Sequence, residues 1–341
     1  MSNYQSTARK KRQNLIIVEG NHEKNQLAEL IFKCFPELNI KKEDVWIYET
    51  NIYLLYKDIE DAYGENWAKD NIDIDLPFVI SKKKNPDNLQ YKNNFNNIIL
   101  VFDYERHDPY FREEKILEMQ EYFTDAADNG KLYINYPMVE SYLDLYQLPD
   151  NDFSNREISV SLRPGKKYKT LIKEKSIVAS KINFLYKLDR LLERCFHVRD
   201  VEKRKKCCDK ILQLSSKNDV EIFVEIVLQE AGAQNIAGEK NTLINWVNSQ
   251  EYINTNQTYW NYVRNILKQI IWHNISKANK IQFGQYQIPA NQYKEYFERL
   301  DLTKILEKQN LASRDAVTGF IWVLNTCLFF IAEYNFKLIE D

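Results

Sequence analysis

Leu15-Ile16-Ile17-Val18-Glu19-Gly20-Asn21-His22-Glu23-Lys24 and Ile98-Ile99-Leu100-Val101-Phe102-Asp103-Tyr104-Glu105-Arg106-His107-Asp108 share one pattern. Each is a short unbroken apolar run that ends abruptly in carboxylates and basic groups. An apolar run of this length bounded by polar residues reads as a buried strand. In a parallel α/β sheet, ligands bind outside the carboxyl ends of the strands. Two such runs therefore place acidic residues from different strands where they can converge.

The flanking segments supply the rest of an α/β unit. Glu23–Phe35 is amphipathic, with Leu27, Leu30, Ile31 and Cys34 on one face, and Pro36 ends it. Val45–Tyr48 reads as a second strand and Asn51–Ala62 as a helix. Residues 64–97 are polar and rich in Asn and Lys, and read as an insertion or long loop. Phe111–Ala127 reads as a helix, and Lys131–Asn135 as a fourth strand followed by Pro137. Strands alternating with helices imply a parallel sheet.

Proline divides the chain. Seven of the eight prolines precede residue 165 and only Pro289 follows. Because proline punctuates turns and is excluded from helix interiors, residues 1–150 read as a turn-rich α/β domain and 151–341 as a mostly helical one. Helical spacing marks Ile177–Phe196, Val220–Ala231, Thr242–Asn248, Trp260–His273, Ala290–Leu306 and Ala312–Phe336. The apolar stretch Ala316–Ala332 is interrupted by Trp322, Asn325 and Thr326 and reads as a core helix, so no membrane span is expected.

Composition narrows the chemistry. The 341 residues include only 8 Gly, against roughly 24 for average usage. Neither a G-x-G-x-x-G nor a G-x-x-x-x-G-K-[ST] occurs, which disfavours a glycine-loop dinucleotide or NTP site. Five scattered Cys without a C-x-x-C suit reduced thiols in a cytoplasmic protein. Arg9-Lys10-Lys11-Arg12 has no adjoining apolar core of the kind a signal peptide needs. The formal charge is only -2, yet residues 156–210 hold seventeen Lys/Arg and seven Asp/Glu, a local +10 that leaves -12 elsewhere. Arg163, Lys166, Lys167 and Lys169, with Lys203, Arg204, Lys205 and Lys206, could follow a phosphate backbone. A solvated helix face or a protein-docking surface explains the same run.

Converging carboxylates repel, and a cation commonly holds them. An oxygen-rich, imidazole-poor set favours Mg²⁺ or Mn²⁺. Asp103 and Glu105 leave their strand two residues apart and can point the same way. Gly20 permits close backbone approach beside Glu19. Glu23 serves either this cluster or its helix dipole. Glu140, in Val139-Glu140-Ser141-Tyr142-Leu143 after the fourth strand, is either a further ligand or a polar residue of the next helix.

The pairing of Ile17-Val18-Glu19-Gly20 with Asp103-Tyr104-Glu105 resembles the TOPRIM fold family. That family carries a glutamate after its first strand and an acidic pair, usually D-x-D, after its third. The chain looks most similar to OLD-type and related phage-defence nucleases, including abortive-infection effectors of the PARIS type. The resemblance spans about residues 13–150. It implies a TOPRIM-like parallel sheet flanked by helices, followed by a helical domain used for oligomerisation, partner docking or nucleic-acid binding. It further implies a Mg²⁺- or Mn²⁺-dependent nuclease acting on DNA or tRNA, with a separate ABC- or AAA-type ATPase as partner. D-x-E in place of D-x-D lengthens one arm by a methylene, which could move the ligand duty to Asp108.

On this reading Asp103 and Glu105 hold one ion, Glu19 ligates metal or acts as general base, and Glu140 holds a second ion. His22, Lys24, Arg106 and His107 are candidates to bind the scissile phosphate or protonate the leaving group. The alternative is a non-catalytic assembly or regulatory subunit with a vestigial acidic cluster. Its helical half would then form an oligomer or an ATPase interface.

Overall fold

The computed structural model describes residues 13–232 and 237–340. The basic stretch Arg9–Arg12 lies outside them. Five strands form the main sheet: β1 (Gln13–Val18), β2 (Val45–Ile47), β3 (Phe95–Asp103), β4 (Thr124–Asp125) and β5 (Gly130–Asn135). Their order is β2-β1-β3-β5-β4. β2, β1, β3 and β5 run parallel, and the two-residue β4 closes the β5 edge antiparallel. The fold is therefore α/β with a mostly parallel sheet and a helical C-terminal region, as the alternation of strands and helices requires.

The chain steps from β1 to β2 on one side and then crosses back to β3 on the other. The strand order thus reverses between β1 and β3, the place where an open α/β sheet offers a crevice. Registers bring the carboxyl ends level. Val18 is opposite both Ile47 and Val101, and Asp103 is opposite Asn135.

The helices of this half are α1 (Glu29–Cys34), α2 (Ile52–Tyr63), α3 (Leu76–Lys84) and α4 (Glu113–Tyr122). α2 packs against α3 and α4. α3 corrects the reading of 64–97 as loop. Asp75 caps it by accepting from the Phe78 N–H at 3.0 Å, and its apolar residues Leu76, Val79 and Ile80 are buried. Its three terminal lysines made the segment look uniformly polar. α4 is also shorter than Phe111–Ala127, because Thr124 and Asp125 leave to pair with β5.

The remaining helices are α5 (Lys166–Lys175), α6 (Ile177–Ile182), α7 (Phe184–Arg194), α8 (Val201–Ile211), α9 (Val220–Ala231), α10 (Ala237–Asn248), α11 (Glu251–Asn254), α12 (Tyr259–Phe283), α13 (Tyr293–Glu298), α14 (Leu302–Ala312) and α15 (Phe329–Tyr334). α12 packs on α1 and α14 packs on α4, so apolar residues of both halves share one continuous core. All five cysteines are free thiols. No described helix is long and apolar enough to cross a membrane.

The expected helix over 312–336 is replaced by a return to the sheet. After α14, Asp315 accepts the Val317 and Thr318 N–H groups and turns the chain. A side chain at Gly319 would stand 2.2 Å from the Asp315 carbonyl, so only glycine fits there. β7 (Phe320–Trp322) then pairs antiparallel with β6 (Glu157–Ser159). Leu324 bridges Tyr136, the Thr326 hydroxyl donates to the Ile134 carbonyl, and the Cys327 N–H donates to the Asn135 side chain. Asn325 and Thr326, which interrupt the apolar run, are buried anchors at the end of β5.

Candidate functional site

The carboxyl ends of β1, β3 and β5 each deliver a carboxylate to one edge. Glu19 follows β1, Asp103 is the last residue of β3, and Glu140 lies in the 3-10 turn Val139–Leu143 after β5. Glu23 opens the π-helical segment Glu23–Ala28, and its carboxylate accepts the Gly20 N–H at 3.0 Å. A Cβ at Gly20 would press to 3.3 Å from that oxygen, so the glycine serves close approach. Asp103 accepts the Val139 N–H at 2.8 Å, and the Asp103 N–H faces Glu19 Oε2 at 3.5 Å. These backbone contacts fix the two carboxylates relative to the sheet edge.

Burial and mutual repulsion dominate the electrostatics. Burial, then the charges of Glu105 and Glu23, push the Glu19 carboxyl up to about 8. Asp103, only 5% exposed, is driven well above the usual carboxylate range by burial and by Glu19, Glu23, Glu140 and Glu105. Removing a carboxylate from water disfavours its charged form, and a second carboxylate nearby adds to the effect.

The nearest positive group comes from the helical half. Lys169 of α5 donates to Glu140 Oε1 at 2.7 Å. Burial alone would lower its ammonium, but the bond to Glu140 and the charges of Asp103 and Glu23 outweigh it and hold it above its usual value. His22 Nε2 lies 3.6 Å from the same Glu140 oxygen. That nitrogen and Glu140 Oε2 are buried without a hydrogen-bond partner. The Asn135 amide nitrogen, on the residue paired with Asp103, is likewise unpartnered.

The set suits a hard divalent cation in its chemistry: carboxylate oxygens from three strand ends and an unsatisfied Glu140 oxygen. As the side chains stand, no group of three or more His, Cys, Asp or Glu among the described residues is gathered closely enough to hold a metal ion. Asp103 instead engages the Val139 N–H and Glu140 engages Lys169.

Other expected residues are employed elsewhere. Asp108 accepts from the Asn51 amide at 2.7 Å and from the Tyr110 N–H, so it pins its own loop to α2 instead of replacing Glu105. Arg106 lies over the Phe111 ring, 3.5 Å from Glu113, and donates to Ser313, which ties β3 to α14. Lys24 donates to the Val45 carbonyl at 2.6 Å. His107 is exposed.

Within the basic segment, Arg163, Lys166 and Lys167 are exposed beside the start of α5, whereas Lys169 turns to the carboxylates. Lys203, Lys205 and Lys206 are exposed on α8. Arg204 is a correction: it is buried, donating to Asp189 and to the Val198 and Arg199 carbonyls, so it cannot contact a phosphate backbone. The residues that sequence reasoning missed are Asn135 and Cys327. Cys327 donates its N–H to Asn135, the residue paired with Asp103, and the returning C-terminal segment brings it there.

Comparison with family models, curated proteins and solved structures returned no significant match.

Proposed function

We propose that the chain is a divalent-metal-dependent nuclease whose reaction centre is the β1/β3/β5 edge. The observation that carries this reading is the crowding of Glu19, Asp103, Glu105 and Glu140, with Glu23, at the topological switch point. Buried like charges are costly and cluster where chemistry needs them. The motif resemblance to TOPRIM nucleases supports the same reaction class.

Glu19, Asp103, Glu105 and Glu140 would hold Mg²⁺ or Mn²⁺. Such an ion supplies Lewis-acid stabilisation of charge developing on phosphodiester oxygens. Glu19, whose carboxyl burial and the neighbouring carboxylates push up to about 8 in the absence of a cation, would either ligate the ion or act as the general base, in both cases as the carboxylate. Lys169 attracts the anionic substrate towards Glu140 and is the positive group nearest the edge. His22 Nε2, buried and 3.6 Å from Glu140, would give a proton to the leaving oxygen. The exposed Arg163, Lys166 and Lys167 extend the positive surface from there along the phosphate backbone.

The test is cleavage of plasmid DNA and of tRNA by the purified chain with Mg²⁺ or Mn²⁺, with Glu19→Ala and Asp103→Ala alongside. Cleavage by the wild type and its loss in both folded variants is expected. Undiminished cleavage by both variants would sink the assignment.

The ungathered donors favour a second reading, a regulatory subunit that docks a separate ATPase. Thermal denaturation separates the two. A live site gains stability with Mg²⁺ or Mn²⁺, and a vestigial one does not.

A further inference from the structure

The basic segment holds a feature that the acidic edge does not use. Between α7 and α10 runs an open cleft of about 410 Å³ lined by Tyr186, Lys187, Arg190, Arg194, Thr242 and Trp246, with Leu191 and Cys195 among them. Trp246 is stacked on Phe184 with ring centroids 4.7 Å apart and planes within 7°. Phe184 is buried, so Trp246 is held rigidly where it lines the cleft. Tyr186 is 61% exposed. The Arg190 guanidinium lies 5.4 Å from the Tyr186 ring centre and donates to its hydroxyl at 3.1 Å.

Charge and shape point to one kind of occupant. Arg190 is partly neutralised by Glu193 at 3.5 Å. Lys187 and Arg194 make no ion pair among the described residues. Aromatic side chains lining the cleft beside Lys187 and Arg194 match an aromatic ring carried on an anionic backbone. Base–aromatic stacking needs an unpaired base, because in a duplex the base faces are already stacked. A polyglutamate peptide satisfies the cations but offers nothing flat for the rings.

We propose that the Tyr186/Trp246 cleft binds single-stranded nucleic acid, seating a base against the aromatic side chains while Lys187 and Arg194 contact the flanking phosphates. The cleft deepens the nuclease reading by naming the form of the substrate as an unpaired strand or loop. Its binding chemistry needs neither the carboxylates nor a metal.

Fluorescence anisotropy of the full chain in EDTA tests this. The probes are fluorescein-labelled oligo-dT and oligo-rU, and a duplex of equal length. Wild type binds the single strands more tightly than the duplex. Tyr186→Ala weakens single-strand binding roughly tenfold and leaves duplex binding unchanged. Tyr186→Phe, which keeps the ring and loses the bond to Arg190, retains the affinity. Arg194→Ala lowers the salt dependence by about one phosphate contact. Tyr186 is exposed, so its loss does not threaten the fold.

Equal single-strand affinity of wild type and Tyr186→Ala would overturn the proposal. So would displacement of the strand by a polyglutamate peptide of matched charge. A strand that is bound but not cut when Mg²⁺ is added counts against the acidic edge and leaves the cleft standing. Cutting with no Tyr186 effect on affinity does the reverse.

Discussion

Two buried charge clusters in this protein are built on opposite principles. At the β1/β3/β5 edge, carboxylates face carboxylates, and the Lys169 ammonium bonds to one of them, Glu140. Beside α12, Asp144 and Asp150 surround Arg156, which stands 2.8 Å from Asp150 and 3.5 Å from Asp144. Tyr168 donates to Asp144, the Tyr146 and Asp152 N–H groups donate to Asp150, and the Arg156 guanidinium lies 3.5 Å from the Tyr146 ring centre. Nearby, the buried Lys277 donates to the carbonyls of Phe153, Ser154 and Arg156. The second cluster sets its carboxylates against a cation, although Asp144 Oδ1 and Arg156 Nη1 keep no hydrogen bond, and fastens the turn after β5 to the helical half. The first sets like charges against one another.

The sharpest way to break this comparison is to cut one partner from each cluster. Arg156→Ala strands two buried carboxylates and should cost about 3–5 kcal/mol, read as a lower midpoint in thermal or urea unfolding. A midpoint unchanged by Arg156→Ala would show that the network holds nothing together.

Glu19→Gln makes permanent the neutral form that burial and the neighbouring carboxylates already favour at Glu19. It should leave metal-free stability unchanged or raised while lowering cleavage at least about a hundredfold, since even outer-shell partners of a metal are worth 10–100-fold. A Glu19→Gln protein that unfolds more easily in EDTA would contradict the repulsion described here.

The pH profile sharpens the contrast further. Glu19 titrates near 8 in the folded chain, above its ordinary value near 4.5. The folded state therefore binds the extra proton between these values, and stability falls as pH rises through that window. In EDTA, the midpoint of wild type relative to Glu19→Gln should decline from pH 5 to pH 8. If the site is live, added Mg²⁺ should reverse most of that decline. A difference that is flat with pH would mean that Glu19 is not strained.

The smallest expected effect distinguishes inward from outward cations on α8. Arg204→Ala should lower the melting temperature, because two carbonyls and Asp189 lose their donor. Lys205→Ala should change stability by no more than about 0.5 kcal/mol.

Much of the α/β half was legible because its signals are local. Leu15–Val18, Ile98–Phe102 and Lys131–Asn135 all lie in strands, and Glu19 and Asp103 stand at the predicted strand ends. The α3 helix was obscured because its short apolar run ends in three lysines and lies between mostly polar flanks. The segment 312–336 misled because its apolar spacing suits a helix, while Asp315 turns the chain locally at Val317 and Thr318 and Asn325 anchors it to the distant Val139 carbonyl. Lys169 and Arg204 look alike in a basic run. One reaches Glu140 and the other Asp189, and nothing in their spacing distinguishes them.

The sequence by itself determined the strand–helix alternation, the two acidic strand ends and the segregation of positive charge into 156–210. These depend on residue type and short-range periodicity, which the chain carries wherever it folds. The tertiary structure alone decided the strand order that brings β1, β3 and β5 side by side. It also decided the return of the C-terminal segment to Asn135 and the choice of Lys169 to face the carboxylates. Those are contacts between residues far apart in the chain, and only the packing of the shared core fixes them.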